Sequence, residues 1–504
     1  MRGKGAICFA SMEYTTLGAV DLGSNSFHLA VGRVVDEQIY PLDSMKETVR
    51  LGSGLTPDKQ LDGHAQERAL AALKRFSERL AGMPRGSVRV VGTNALRVAK
   101  NAAPFLRRAE STLGFPIEII PGREEARLIY LGVVHSLPLS NQNRLVVDIG
   151  GGSTEFIIGN KLKAKAMESL YMGCVSYTTR YFPEGRIEKK AFKQAELAAR
   201  AQVQAIATRF EKEGWKEAVG SSGTARSIAE VLHKNGRAER GITGEGLAWL
   251  KDELLAAGDL RKLALPGLRE DRIPVVAGGV AIMSGVFDEL SLSCMTVAEG
   301  ALRDGVLWDL LGRVHHRDIR EVTIDQIVRR YHVDLDQSQR VGALAQSLLP
   351  GLEAGGEALA EAAPFLEWAT RLHEIGMSIA QGAYHKHSAY ILANADMPGF
   401  SRQEQGYLSN LVLAQRGKLL KMRAAFDDDP RLAALAFALR LAVIFHRSRR
   451  TFKLPKLAVT RDDSGFRVEI DSKWLADHTL IALALDSERD QWKSVGLALE
   501  VVET

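Results

Sequence analysis

Two segments of this chain carry one pattern, an aspartate at the end of an apolar run followed at once by small and polar residues. The first extends from Asp21 to Ser26 and the second from Asp148 to Ser153. A second apolar run follows each, so each predicts a β-hairpin with a polar turn. Glycine lets backbone amides approach a phosphate, hydroxyls add donors, and an aspartate can hold a cation. Two such turns facing each other would clamp a phosphate.

The order of apolar patterns predicts an α/β fold in the first three hundred residues. Strand-like and helix-like stretches alternate there around the two hairpins, which indicates two related halves. After Gly312 the composition changes, and residues 323–445 are rich in Ala, Leu, Arg and Glu, as in a helical domain. Short apolar runs between residues 457 and 502 then predict a small β or α+β unit.

The composition is that of a large protein without a disulfide framework. A net charge of +5 over 504 residues leaves room for basic patches that suit a polyanion. The three cysteines are far apart and form no CxxC pair, which argues against a zinc site and suits a reducing cytosol. The apolar stretch 432–445 is interrupted by Arg440 and is too short to span a bilayer. Residues 1–11 are interpreted as a loose tail before a start at Met12.

Six short motifs occur in an order that resembles the exopolyphosphatase and guanosine pentaphosphate phosphohydrolase family, within the actin-like ATPase superfamily. The similarity extends from about Leu17 to the C-terminus, and ordered motifs are far more specific than a lone glycine loop. The glycines at 150, 151 and 152 are more similar to the exopolyphosphatase branch. The motifs are Val20 to His28, Gly92 to Arg97, Gly122 to Ile129, Val147 to Glu155, Met172 to Val175, and Gly220 to Thr224.

The resemblance implies a domain plan and an activity. Two actin-like (ribonuclease H-like) α/β domains, 1–129 and 130–312, would precede a helical, degenerate HD-like domain, 313–452, and a small C-terminal α+β domain, 453–504. The implied activity is processive hydrolysis of the terminal phosphate of inorganic polyphosphate. The alternative is removal of the 5′ γ-phosphate of guanosine pentaphosphate (pppGpp), with pppGpp or ppGpp as a further ligand.

The same resemblance implies a cofactor, an assembly and a cellular location. Magnesium is the expected cofactor, with potassium as a further activator, and the expected assembly is a homodimer that binds no nucleic acid. The expected location is the cytoplasm, with peripheral attachment to the inner face of the cell membrane left open. Two remoter alternatives are an actin-like small-molecule kinase and a non-catalytic regulator that binds polyanions or the alarmone.

Glu125 is the residue expected to activate water. Water is a poor nucleophile toward a phosphoryl group with negative oxygens, so a site must position it and accept its proton. The resemblance implies that the second glutamate of the Glu124 to Arg127 motif is this base. The alternative is an ordinary first-turn glutamate favoured by the helix dipole, a description that fits Glu124 better.

Carboxylates at the two turns are candidates for magnesium, because hard cations take oxygen ligands. Asp148 and Glu155 flank the glycine turn and can face one cleft, and Asp21 would add a third carboxylate. The alternative for the two aspartates is turn capping, and for Glu155 an exposed strand position.

Neutral donors and one arginine complete the predicted phosphate site. Arg97 could bind a terminal phosphate with its bidentate fork, and the turn at Gly223 opens a helix whose N-terminus favours anions. Gly278 and Gly279, by contrast, are interpreted as helix packing. The predicted phosphate-binding residues are Ser24, Asn25, Ser26, Asn94, Arg97, Gly151, Gly152, Ser153, Thr154, Gly223 and Thr224.

Two features of the C-terminal half remain open. His373-Glu374 followed by His385 resembles a decayed His-Asp metal phosphohydrolase site, for which a structural or substrate-guiding role is favoured over a live metal site. A basic cluster could bind a phosphate chain in a channel by counterion release, or be a solvated linker. The cluster consists of Arg447, Arg449, Arg450, Lys453 and Lys456.

Overall fold

The computed structural model describes residues 14–138, 140–314, 318–352, 362–450, 453–462 and 464–504. The chain divides between Ile319 and Arg320 into two compact units, here called the first and second unit. The interpretation of residues 1–11 and of Met12 lies outside the described residues. Cys174 is buried and Cys294 exposed, and both are free thiols.

The first half of the first unit is built on a five-stranded sheet of order β3-β2-β1-β4-β5. The first three strands are antiparallel, and β4 and β5 extend the sheet in parallel to β1. The elements are β1 Thr16–Leu22, β2 Ser26–Val35, β3 Gln38–Thr48, α1 Gly63–Leu80, β4 Val88–Gly92, α2 Asn94–Val98, α3 Ala102–Leu113, β5 Ile117–Ile119 and α4 Gly122–Ser136.

The second half repeats this plan in a six-stranded sheet of order β10-β11-β9-β6-β7-β8. Here too a three-stranded antiparallel meander is extended by parallel strands, β9 and β11. The elements are β6 Arg144–Ile149, β7 Thr154–Asn160, β8 Lys163–Leu170, α5 Cys174–Tyr181, α6 Lys189–Glu213, β9 Glu217–Ser221, α7 Ser222–Lys234, β10 Ile242–Thr243, α8 Gly244–Ala257, α9 Val276–Glu289, β11 Cys294–Val297 and α10 Leu302–Val314. The predicted α/β fold of two related halves is confirmed.

The central strands of both sheets are apolar on each face because helices cover them, as expected for parallel sheets. All residues of β6 and all of β7 except its last are buried. Glycines allow α9 to pack closely, since a Cβ on Gly278 would lie 2.5 Å from the carbonyl oxygen of Cys174. Helix packing at Gly278 and Gly279 is therefore confirmed.

The second unit is helical and ends in a three-stranded sheet, as predicted. Its helices and strands share one core, in which Phe437 stacks on Phe466 with ring centroids 4.1 Å apart. The elements are α11 Ile319–Arg330, α12 Leu335–Leu348, α13 Ala363–Leu372, α14 Tyr384–Asn394, α15 Arg402–Ala414, α16 Arg423–Asp428, α17 Pro430–Phe445, β12 Leu457–Asp462, β13 Gly465–Ile470, α18 Ser472–Asp477, α19 Thr479–Ser494 and β14 Ala498–Glu503.

Helix α17 contains the apolar stretch seen in the sequence and forms the centre of that core. Asp429 caps its N-terminus, and Pro430 stands at the first helical position, where no amide donor is needed. The buried Arg440 donates to the carbonyl oxygens of Ala414 and Gly417 and to Glu488. In the described part of the chain, no helix combines the length and the apolarity needed to cross a membrane.

Candidate active site

The two hairpins place their acidic residues at matching positions. Asp21 at the end of β1 pairs across the strands with His28, and Asp148 at the end of β6 pairs with Glu155. All four side chains line one cavity of about 110 Å³ between the two halves of the first unit. The repeated sequence pattern is therefore a repeated structural device, with a histidine in one copy where the other has a glutamate.

The two turns face each other at contact distance. A Cβ on Gly151 would lie 3.0 Å from the Cβ of Ser24 and 3.1 Å from the amide nitrogen of Asn25. A Cβ on Gly173, which precedes α5, would lie 2.4 Å from the backbone of Gly151. Glycine is required at these positions because any side chain would push the turns apart. The facing arrangement predicted for the two turns is confirmed.

Most of the predicted phosphate donors line the cavity. Helix α7 begins at Ser222, so its N-terminal amides and partial positive charge face the space between the turns. The predicted residues found there are Ser24, Asn25, Ser26, Gly151, Gly152, Ser153, Gly223 and Thr224.

Three of the predicted residues do not line it. Thr154 is fully buried, and its hydroxyl donates to the carbonyl oxygen of Met172 at 2.6 Å. Asn94 lies behind Gly152, where its Nδ2 would be 2.6 Å from an added Cβ, and its neighbour Thr93 lines the cavity instead. Arg97 points to a carboxylate.

That carboxylate is Glu125. Arg97 Nη1 donates to Glu125 Oε2 at 3.0 Å and to the carbonyl oxygen of Ile120 at 2.8 Å. Glu125 lies in the first turn of α4, is buried and lines the cavity. Burial raises its pKa and the charge of Asp148 raises it further, while Arg97 lowers it. A carboxylate of raised pKa that is held by one guanidinium is a stronger base than a free glutamate.

Glu124, the preceding residue, belongs to a buried ion network. Arg127 donates to both of its carboxylate oxygens at 2.8 Å and also binds Asp309. Arg89 on β4 donates to Asp309 at 2.6 Å. This buried ion network ties α4 to β4 and α10, so it fixes the helix that presents Glu125 to the cavity.

Four carboxylates therefore surround a small, poorly solvated space. Burial raises the pKa of Asp21 well above its usual value, and the charge of Glu125 raises it further. The same two causes, in the same order, raise the pKa of Glu155, whose Oε1 accepts from Ser169 at 2.8 Å. Burial raises the pKa of Asp148, while the hydroxyls of Ser222 and Ser221 lower it. These carboxylates would stabilise a cation bound among them.

The donor set fits a hydrated magnesium ion. Asp21 Oδ1 is buried and has no hydrogen-bond partner among the described residues. Within the same part of the chain, no three Asp, Glu, His or Cys side chains are close enough to cage a metal by themselves. Magnesium needs no such cage, because it keeps several waters and takes one or two carboxylates together with phosphate oxygens.

The opposite wall of the cavity is basic, and sequence reasoning missed it. Arg226 on α7, Arg272 in the loop before α9 and Arg303 on α10 line the cavity beside His28. Burial, followed by the charge of Arg303, lowers the pKa of His28 to about 3, so this imidazole is neutral at physiological pH. Arg226 lies two residues beyond Thr224, but a lone arginine in a helix has the same pattern as a solvated face.

Comparison with known proteins identifies the family. A model of the Ppx/GppA phosphatase family matches residues 30–314, and a model of Ppx/GppA phosphatase, domain III, matches residues 319–489. This chain belongs to the Ppx/GppA phosphatase family. It is a hydrolase that acts on phosphoanhydride bonds, and its actin-like fold is that of the family.

Solved structures of similar proteins agree with this membership. An exopolyphosphatase from Cytophaga hutchinsonii is 27% identical, with a TM-score of 0.54, over 59% of this chain and 98% of that one. An exopolyphosphatase-like protein is 25% identical, also with a TM-score of 0.54, over 60% of this chain and 99% of that one.

In the HD-like segment of this Ppx/GppA phosphatase, an arginine side chain contacts the candidate metal ligand Glu374. Arg449 Nη2 lies 2.6 Å from both carboxylate oxygens of Glu374, and its Nη1 donates to Asp334 at 2.7 Å. His373 Nδ1 lies 2.7 Å from the carbonyl oxygen of Thr370. A guanidinium thus neutralises the carboxylate that was considered as a metal ligand.

The residues of the predicted basic cluster have different surroundings. Arg449 contacts two carboxylates, Glu374 and Asp334. Arg447 and Arg450 are exposed and line a cavity of about 950 Å³ in the second unit, beside Leu480 and Leu483 on α19. Lys453 and Lys456 are exposed. The channel role of these residues stays a prediction.

Proposed function

We propose that this protein is an exopolyphosphatase that removes the terminal phosphate of inorganic polyphosphate and releases orthophosphate step by step. The observation that carries the proposal is the pair of facing turns around a cavity of about 110 Å³. Pockets that enclose drug-sized ligands measure roughly 300–1,000 Å³. A space this small, lined by amide and hydroxyl donors, suits a single terminal phosphoryl group.

In the proposed reaction, Glu125 accepts a proton from the attacking water. The water oxygen bonds to the terminal phosphorus, and the bond from that phosphorus to the bridging oxygen breaks. The shortened chain leaves with the electron pair of that bond. Arg97 holds the carboxylate of Glu125 in place, and the turn amides and hydroxyls receive the phosphoryl oxygens as their charge redistributes.

Asp148, Glu155 and Asp21 would hold the magnesium ion. When bound, the ion would offset the charge of the phosphate oxygens and of the carboxylates themselves. Ser169 and the hydroxyls of Ser221 and Ser222 orient Glu155 and Asp148. The orphaned Oδ1 of Asp21 supports this assignment.

The alternative substrate, guanosine pentaphosphate, would place its 5′ γ-phosphate in the same cavity. A purine is commonly held by stacking on an aromatic ring. Among the described residues, no Phe, Tyr or Trp lines this cavity or the basic cavity that adjoins it. This lining favours an inorganic chain. The similarity to the Cytophaga hutchinsonii exopolyphosphatase supports the same choice.

The test compares orthophosphate release from long polyphosphate and from guanosine pentaphosphate by the purified protein with magnesium. We expect faster release from polyphosphate and no release by the Glu125→Gln variant above a small residual rate. Faster release from the nucleotide would reverse the assignment, and binding without release would indicate a regulator. The homodimer implied by the resemblance stays a prediction that light scattering would check.

A further inference from the structure

A second cavity of about 390 Å³ adjoins the catalytic cavity, and we call it the annex. The two cavities share part of their lining, so they are direct neighbours. The shared residues are His28, Gly223, Arg226, Arg272 and Arg303. The annex adds two further cations, Lys46 on β3 and Arg269 in the loop between α8 and α9. Its five cations face a single lining carboxylate, Glu230.

The cations of the annex repel one another. Burial lowers the pKa of Arg226, and the charges of Arg303 and Arg272 lower it further. Burial also lowers the pKa of Lys46, and the charges of Arg272 and Arg269 lower it further, while the hydrogen bond that Lys46 donates to Asp271 raises it. Ser227, which lines the annex, has a buried hydroxyl without a hydrogen-bond partner among the described residues. Excess positive charge and an unused donor indicate a site for an anion.

One carboxylate of the protein accepts hydrogen bonds from two of these cations and lies 3.9 Å from the Nε of a third, Arg272. Asp271 Oδ2 accepts from Lys46 Nζ at 2.6 Å, and Asp271 also accepts from Arg269 Nε at 3.1 Å and Nη2 at 3.3 Å. The Lys46 contact joins the first sheet to a loop of the second half, 225 residues away along the chain. Lys46 and Asp271 are each about one quarter exposed, so solvent and ligands can reach the pair.

We propose that the annex binds the inner phosphates of a chain whose terminal phosphate lies in the catalytic cavity. Asp271 then acts as an internal substitute for phosphate, which the substrate displaces from Lys46 and Arg269. This inference rests on the proposed function. It adds a substrate subsite and a carboxylate that competes with the substrate.

The geometry sets the signs of the expected effects. Loss of Lys46 or Arg269 removes a charge-assisted contact to the chain, which weakens binding. Loss of the Asp271 charge frees both cations for the substrate, which strengthens binding. A ligand confined to the catalytic cavity, such as the product orthophosphate, responds to neither change. A purely structural ion pair would give losses of the same sign for all three residues.

The first experiment measures KM and kcat for a polyphosphate of defined length, and the inhibition constant of orthophosphate, in the double variant Lys46→Ala/Arg269→Ala. We expect KM for the long chain to rise about tenfold, with kcat within about twofold and the inhibition constant of orthophosphate unchanged. The matched control is Arg261→Ala, which removes an arginine from an exposed pair with Asp259 in the same half. An unchanged KM for the long chain, or an equal weakening of orthophosphate binding, overturns the subsite.

The second experiment uses Asp271→Asn with Asp259→Asn as its control. We expect KM for the long chain to fall about threefold at low salt, and the gain to shrink as salt screens the charges. Circular dichroism and the thermal midpoint check that each variant is folded. A KM that stays the same or rises in folded Asp271→Asn overturns the competition by Asp271.

Direct binding separates this inference from the proposed function. Titration calorimetry with long polyphosphate, in a Glu125→Gln background, measures the affinity of the annex variants without turnover. Failure of the wild-type protein to release phosphate from any polyphosphate would refute the proposed function alone. Equal affinity of the parent and the Lys46→Ala/Arg269→Ala variant would refute the annex alone.

Discussion

The two hairpin copies have the same register but different chemistry. In the second copy Asp148 faces a glutamate, Glu155, whereas in the first copy Asp21 faces the neutral His28. The second copy therefore adds negative charge near Glu125, and the first copy leaves room for the guanidinium groups of the opposite wall. The cavity therefore has an acidic end and a basic end, which we propose hold a cation and the phosphate chain.

The largest effect is expected for Glu125, which lies at the acidic end of the cavity and belongs to neither hairpin. Glu125→Gln preserves the size of the side chain and removes its basicity, so kcat should fall by about a hundredfold or more. The affinity for polyphosphate should change little, because the turns and arginines remain. Steady-state phosphate release and equilibrium binding measure the two quantities. A turnover close to that of the wild type would remove Glu125 from the mechanism and leave the acidic end without a base.

An exchange between the copies is the next test. His28→Glu places the carboxylate of the second copy in the first, where it would bind the neighbouring guanidinium groups in competition with phosphate. KM for polyphosphate should rise about tenfold. His28→Gln stays neutral and should remain within about threefold of the wild type. Equal effects of the two substitutions would mean that the shape of His28 matters and that its neutrality does not.

The contrast between the copies also shows what the sequence could predict. Both hairpins follow from local patterns, since an apolar run that ends in Asp and Gly specifies a strand and a turn. Membership of the family follows from the ordered motifs. These features depend on residues that are close together in the chain, so they can be predicted from a single sequence.

The basic end could not be predicted in this way. Arg226, Arg272 and Arg303 come from three separate segments, and only the tertiary fold brings them together. Arg97 and Arg449 show the same limit of local patterns. Their binding to phosphate stays a prediction, whereas their contacts follow from the tertiary fold: Arg97 contacts Glu125, and Arg449 contacts Glu374 and Asp334. The type and place of an arginine in the sequence do not reveal which carboxylate lies nearby.

A third test compares the two aspartates. Burial raises the pKa of Asp21 and the charge of Glu125 raises it further, so its carboxylate destabilises the fold increasingly as pH rises from the usual value of 3.8 to the raised folded-state value. Asp21→Asn should therefore raise the stability of the metal-free protein by about 1 kcal/mol at neutral pH, and the gain should disappear below the usual value. Asp148→Asn should gain less, because hydroxyls already stabilise that carboxylate.

Both variants should respond more weakly to magnesium, with a higher half-saturating concentration in the activity assay. Thermal midpoints with a chelator, measured across pH, test the stability part. A lower midpoint for Asp21→Asn at neutral pH would show that Asp21 has an unrecognised partner in the folded protein. Unchanged magnesium titrations in both variants would contradict the assignment of these carboxylates to the ion.

The smallest effect is expected outside both copies, in the second unit. Arg447 and Arg450 are exposed, whereas Arg449 is held by Glu374 and Asp334. If the two exposed arginines bind a long chain, Arg447→Ala/Arg450→Ala should weaken affinity for long polyphosphate about threefold and flatten its salt dependence, because fewer counterions are released. It should also release intermediates of mixed length, since a chain bound at two places stays close to the active site between cleavages.

Kinetics on pyrophosphate should not change, and Arg489→Ala, at an exposed pair with Asp486 in the same unit, is the matched control. Continued processive digestion by the double variant would assign long-chain affinity to the two copies and the annex alone.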